Sequence, residues 1–222
     1  MKYIIITILI SLNIFAATTQ TNKPLYTVTN VPKNMSVATK KARFFYLVEP
    51  AVQKVHAELM QQYKDVLKDI KNSTNSQKIK KLKKLYRVQS DKELLLALKP
   101  HPQSIVLAQA AMESAWATSR FFVQANNIFG IRSVNDYEPR IVAGKRKNIW
   151  LRKFASVEDS VREYYIMMGR VKIYKDFRDV RYNSNDVMKM VQKLDKYSEI
   201  DKQYTKELSS MIRHNNLTKY DK

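Results

Sequence analysis

The sequence contains no cysteine. Disulfides, thiolate zinc sites, thiol nucleophiles and lipid attachment at a cysteine are thereby excluded. Glycine is nearly missing as well, with 3 residues in a chain of 222. No GxGxxG or Walker-type loop is present, so a nucleotide-phosphate cradle is not expected. The 3 histidines, His56, His101 and His214, lie far apart, and none has HExxH-like spacing. Neither a metal site nor a cofactor is expected from that set.

Acidic residues are the minority, 20 against 40 basic ones, for a formal net charge of +20. A field of that sign attracts polyanions: nucleic acid, anionic membrane surfaces or bacterial wall polymers. Charge alone does not choose among them. With 45% hydrophobic residues, the 222-residue chain can bury one good-sized core and carry an additional helical extension. Its richness in Lys, Leu, Glu, Met and Ala favours helices over sheets.

The first residues bear on compartment. Lys2 precedes a largely apolar run from Tyr3 to Phe15, followed by Ala16 and Ala17. A basic start, a short apolar core and small residues at the end describe a secretory signal peptide over residues 1–17. A buried strand or an uncleaved anchor is the competing reading, but the run is short for a membrane span. Export to the periplasm or cell envelope is therefore expected, with no transmembrane span after cleavage. Export also argues against nucleic acid as the partner of the positive charge. Residues 18–35, polar and proline-bearing, read as an irregular lead-in.

Helical periodicity begins at Ser36. Phe44, Phe45, Leu47 and Val48 form one apolar face, and Pro50 suits the first turn of a new helix. Val52, Val55, Leu59, Tyr63, Val66 and Ile70 continue at helical spacing. Five lysines between Lys78 and Lys84 read as a solvated helix face. Ser90 and Glu93 have capping-box spacing ahead of Leu94. Pro100-His101-Pro102 ends that helix, and with Pro102 as its first residue the next is expected to run through Ser104 to about Trp116, followed by a looser segment. Arg140–Val142 and Asn148–Leu151 flank Gly144 as a hairpin. Further helices are expected from Ser156, over about 185–194 and over about 201–215. The division expected is an N-terminal helical extension over 36–99 and a main domain over 100–217.

The chemistry concentrates at Glu113. On a helix it shares a face with Gln109 and Trp116, so a carboxylate projects from an apolar stripe beside an aromatic ring. Desolvation there raises a carboxyl pKa, and a carboxylic acid kept protonated near neutrality can donate its proton to a glycosidic oxygen. Periodicity alone fits a half-buried carboxylate paired with one of the many basic residues equally well.

The segments AQAAMESAWATSRFF, NNIFGIR, FASVEDSVREYY and IYKDFRDVR, in that order between Pro102 and Arg181, resemble the glucosaminidase family, glycoside hydrolase family 73 with its FlgJ-like enzymes and autolysins. ATKKARFFYLVEPAV, Ala38 to Val52, is similar to the FlgJ-related bacterial Bax proteins. The resemblance implies a mainly α, lysozyme-like domain with a small β-hairpin. It implies an endo-β-N-acetylglucosaminidase cutting peptidoglycan glycan strands, with Glu113 at the position of the general acid. Asn127, Phe129 and Gly130 match the family's NLFGI motif, and Tyr164 and Tyr174 match its aromatic positions near the sugar. In one respect this chain departs from the pattern. Glycines usually flank the tryptophan, and here they are Ala115 and Ala117.

A second carboxylate is expected at Glu138, where the hairpin starts, with Asp136 and Glu163 as alternatives. A catalytic base lies roughly 6.5–9.5 Å from the acid and a nucleophile roughly 5–5.5 Å. Assistance by the substrate's own acetamido group would make a second carboxylate dispensable. Gln109, Trp116 and Tyr137 complete the candidate sugar-binding set, and Trp150 is a further candidate for exposure near the hairpin. A lytic transglycosylase using a single Glu, and a non-catalytic wall-binding protein, are the competing functions. The partners expected are peptidoglycan strands and the anionic envelope surface.

Overall fold

The structure, a computed structural model, describes residues 25–144, 149–197 and 202–221. The signal peptide expected over 1–17, the start of the lead-in and the hairpin tip at 145–148 lie outside the described residues.

Helix α1, Val37–Lys71, opens where the Ser36 side chain accepts the Thr39 amide and closes with Lys68 and Lys71 facing the negative end of the helix dipole. The break expected at Pro50 does not occur. Proline in a helix interior costs about 3 kcal/mol because a hydrogen bond to the carbonyl four residues back is lost. Here that carbonyl belongs to Tyr46, on the exposed side, as is Pro50 itself. The buried stripe Phe44, Val48, Ala51, Val52, Val55 and Leu59 runs in register through the proline, and its packing carries the helix across.

Two short helices follow, α2 (Ser76–Tyr86) and α3 (Asp91–Leu98). The lysine run of α2 is mostly solvated, with Lys78 paired to Asp69 and Lys83 to Asp91. The Ser90–Glu93 capping box is formed as expected. Helix α4, Gln103–Glu113, is buried from Gln103 to Ala111 and is the central rod of the domain. At its first turn Asp221 Oδ1 accepts the Ser104 amide at 2.8 Å. A helix expected to reach Trp116 thus ends at Glu113. The Ser114 hydroxyl donates back to the Ala110 carbonyl and accepts the Ala117 amide, which competes with further helical pairing.

The segment expected to be looser contains α5, Arg120–Ala125, capped by Ser119. Strands β1 (Arg140–Val142) and β2 (Trp150–Arg152) pair antiparallel, Arg140 opposite Arg152 and Val142 opposite Trp150. Helix α6, Val157–Arg170, starts at the Ser156 cap with Glu158 and Asp159 in its first turn. A 3-10 turn at Lys172–Tyr174 leads into α7, Lys175–Asn183. The helix expected near 185–194 is shorter than its pattern. Helix α8 covers Val187–Val191 and gives way to 3-10 turns over Gln192–Tyr197, where a kink at Leu194 tucks that side chain into the core. Helix α9, Lys202–His214, and a 3-10 turn at Leu217–Tyr220 end the described chain.

The larger apolar cluster joins the first half of α1 to α4, α5, α6, α8 and α9. A smaller one joins Val66 of α1 to Tyr86, Leu94, Leu95 and Leu98. Helix α6 approaches this second cluster through Gly169, where a Cβ would sit 2.7 Å from the Tyr86 ring and 2.8 Å from the Ala97 carbonyl oxygen. Among the described residues no helix is long and apolar enough to cross a membrane.

Candidate active site

Glu113 is the last residue of α4, and its side chain is open to solvent at the helix end. Protein nevertheless surrounds the carboxyl on its inner side, and this partial burial raises its pKa above the ordinary carboxylate value. Among the described residues no neighbouring cation opposes that shift. The opposing contribution is a hydrogen bond donated by the Tyr204 hydroxyl to Glu113 Oε1 at 3.3 Å. Burial, and then the Glu113 charge, push the Tyr174 hydroxyl up to about 12.

Tyr204 is itself held by a buried chain. Gln109 Nε2 donates to the Tyr204 oxygen at 2.9 Å, and the Tyr164 hydroxyl donates to Gln109 Oε1. His101 Nε2 lies 2.9 Å from the Tyr164 oxygen. With the Tyr164 proton committed to Gln109, His101 Nε2 must carry the hydrogen it gives to Tyr164. His101 is fully buried, and desolvation, then the positive charge of Arg181, hold its pKa well below the ordinary value, so the ring is neutral. The chain is polarised in one direction, from His101 through Tyr164, Gln109 and Tyr204 to the carboxyl. It is packed by rings: Phe129 stacks on Tyr164 at 4.1 Å and Tyr197 on Tyr204 at 5.4 Å.

Beyond Glu113 the backbone turns left-handed at three successive residues. Ala115, Trp116 and Ala117 have φ of 50°, 61° and 60°. This conformation costs roughly 1–2 kcal/mol for each non-glycine residue. Both alanines that replace the expected glycines therefore occupy positions where glycine would be unstrained. Trp116 accordingly leaves the face of Glu113, and its ring meets Phe44 at 5.2 Å and Lys41 Nζ at 5.1 Å. The tyrosines, rather than this tryptophan, surround the acid.

The three hairpin-side carboxylates are all paired. Arg152 reaches Glu138 at 2.8 Å and Glu163 at 3.0 Å, and Arg170 takes the other Glu163 oxygen at 2.9 Å. Asp136 pairs with Arg140 at the surface. Asn127 is buried and ties its loop to β2, donating to the Ile131 and Arg152 carbonyls and accepting the Ile131 amide. Gly130 has φ of +66°, as its motif requires. Gln109, Asn127 and Tyr164 are enclosed, and Phe129 and Tyr174 nearly so. In this arrangement these residues shape the site from behind. Tyr137 is 97% exposed, and Trp150 is half-covered by the Arg140 guanidinium, 4.4 Å from its ring.

Residues 92–217 match the profile of the glucosaminidase family, described as mannosyl-glycoprotein endo-beta-N-acetylglucosaminidase. The chain belongs to the glucosaminidase family. Among curated proteins, "Protein bax" of Escherichia coli K12 is 31% identical over 120 residues, covering 51% of this chain and 43% of that protein. The chain thus matches less than half the length of that curated relative. Among solved structures, the catalytic domain of the autolysin Auto from Listeria monocytogenes aligns with a TM-score of 0.53 at 17% identity, over 85% of this chain and 92% of that one. The glycoside hydrolase domain of FlgJ from Salmonella typhimurium aligns with a TM-score of 0.44 at 20% identity, over 62% of this chain and 89% of that one. The fold expected from the sequence, mainly α and lysozyme-like with a small hairpin, is the fold of this chain.

Four residues around the candidate site or the turn beyond it escaped the sequence reading: Tyr204, His101, Arg152 and Arg43. Tyr204 falls on the buried stripe Tyr204, Leu208 and Ile212 of α9, so periodicity marks it as core and nothing more. Arg152 sits in the hairpin within three residues of Trp150, a signal that proximity to Glu138 could have strengthened. Arg43, discussed below, carries no local signal at all.

Proposed function

We propose that this protein is a peptidoglycan glycosidase, an endo-β-N-acetylglucosaminidase in which Glu113 is the general acid. The observation that carries the reading is a carboxyl raised in pKa by burial, open to solvent on one side, and aimed by a buried hydrogen-bond chain on the other. Such a group holds its proton to higher pH than an ordinary carboxylate and can deliver it to a departing sugar oxygen. Membership of a family described as endo-beta-N-acetylglucosaminidases supports the choice of an N-acetylglucosaminide bond. Export to the envelope, where the +20 charge would favour anionic wall polymers, belongs to the same reading.

Glu138 is the proposed second carboxylate. Only Arg152 engages it among the described residues, whereas arginines hold both oxygens of Glu163, which suits an anchor for the hairpin. Asp136 points into solvent. Glu138 would activate a water molecule or attack the sugar once freed from Arg152. Its pairing with Arg152 also favours a second reading, a lytic transglycosylase that needs Glu113 alone.

Mass spectrometry of peptidoglycan digested with the protein separates these. A reducing N-acetylglucosamine end is expected. An anhydro-muramic end would replace hydrolysis by transglycosylation, and intact glycan would leave a wall-binding protein.

A further inference from the structure

The turn after Glu113 is expensive for its residues, and something must hold it. Part of the grip is local: Trp116 donates its amide to the Ala111 carbonyl at 2.8 Å, and Ser119 donates to Ser114 at 2.9 Å. The rest comes from α1. Arg43 is fully buried there, yet it is in no salt bridge with a carboxylate among the described residues. Its guanidinium spends its donors on backbone instead. One Nη donates to the Ala117 carbonyl at 2.6 Å; the other donates to Thr27 and Val28 at 2.8 and 2.9 Å. On the same stretch of helix, Phe44 and Phe45 pack edge-on against Trp116 and Lys41 covers its ring.

A buried cation bonded to neutral carbonyls is a costly way to stabilise a fold, because desolvating a charge without an opposite partner is unfavourable. It is a good way to fix a carbonyl in one orientation, since the guanidinium fork has rigid geometry. The carbonyl so fixed ends the left-handed run that begins two residues after Glu113. We propose that Arg43 is a positioning residue for catalysis: it clamps the Ala115–Ala117 turn in place of the conformational ease that glycines would provide, and thereby sets the direction of Glu113. On this view α1 is part of the active site although it lies outside the matched family region, residues 92–217. The inference rests on the reading of Glu113 as general acid.

The test uses the full chain with three variants: Arg43→Met, Ala115→Gly with Ala117→Gly, and all three changes together. Folding is verified by circular dichroism and thermal unfolding. In folded Arg43→Met, kcat for glycan cleavage should fall roughly 10- to 100-fold with KM little changed, the scale of a displaced catalytic group. The glycine pair alone should alter kcat less than about twofold, yet restore most of the loss in the triple variant, because glycine adopts the turn without strain. A structural role alone would not produce that rescue. Undiminished kcat in Arg43→Met, or a loss that the glycines do not recover, would overturn the proposal. Should Arg43→Met not fold, Arg43→Lys keeps the charge on a single donor nitrogen while removing the fork, and is judged by the same criteria. Hydrogen exchange gives a readout independent of activity. The amides of Trp116 and Ala117 should exchange about tenfold faster in the Arg43 variant while α6 is unchanged. If the unaltered protein cuts no glycan, the glycosidase reading fails, and exchange alone decides whether Arg43 holds the turn.

Discussion

Around Glu113 the polar groups are neutral, buried and linked end to end; around the hairpin they are charged, part-exposed and paired with arginine. The first arrangement is fixed by packing. His101 and Gln109 are fully buried and Tyr204 nearly so; helices α4, α6 and α9 supply Gln109, Tyr164 and Tyr204, and the segment before α4 supplies His101. The second arrangement hangs on two strands of three residues each and on one arginine shared by two carboxylates. Salt and water reach such pairs and weaken them, whereas they scarcely touch a buried neutral chain. On the proposed reading, Glu113 is therefore the preorganised group and Glu138 the adjustable one.

The largest effect expected is from Glu113→Gln. Loss of the transferable proton should cut cleavage by roughly 10²–10⁴-fold, the usual contribution of general acid catalysis, with an unchanged melting curve. Retention of most activity would remove Glu113 from its role. Next comes Glu138→Gln, for which a fall of roughly 10²-fold is expected if it activates water, at the lower end of that range. A near-normal rate would hand the role to substrate assistance or to single-acid transglycosylation, and product masses would say which.

Gln109→Leu attacks the fixed side directly. It leaves the buried Tyr164 and Tyr204 hydroxyls short of partners and should cost about 1–3 kcal/mol of stability, read from denaturant unfolding. Arg152→Met, on the adjustable side, should cost no more than about 1 kcal/mol. Equal losses would erase the contrast between the two sides.

The smallest effect is a displacement of the pH profile. In the proposed role Glu113 must be protonated, so activity should be lost as pH rises through its elevated pKa. The Tyr204 hydroxyl favours the ionised carboxylate and so holds that pKa down. Tyr204→Phe should therefore move the alkaline limb to higher pH. Movement to lower pH would show that Tyr204 acts otherwise.

Glu113 was legible in the sequence as a candidate because the signal for it is local: its spacing from Gln109 and the motif around it lie within a few residues. The helix starts at Ser36, Ser90 and Ser156 were legible for the same reason, a cap and its amide being three residues apart. What orients Glu113 was not legible. Tyr204 is 91 residues away and Arg43 is 74 residues from Ala117, and no periodicity reports contacts at such range. The false break at Pro50 and the overlong α4 share a cause. In each case a local preference was outweighed, by the continuous buried stripe of α1 in the first and by the Ser114 hydroxyl in the second.

Asp221 has a consequence beyond its hydrogen bond to Ser104. It caps the start of the helix whose last residue is Glu113, while Arg43 grips the turn just past that residue. The central rod is thus fastened at both ends by segments drawn from near the two extremities of the described chain, and both fasteners lie outside the family match. The fold closes like a clasp on the helix that carries Glu113. A fragment trimmed to residues 92–217 would lose both fasteners, so it would be a poor stand-in for the whole. Fraying or proteolysis at either extremity should be felt at the acid before it is felt in the hairpin.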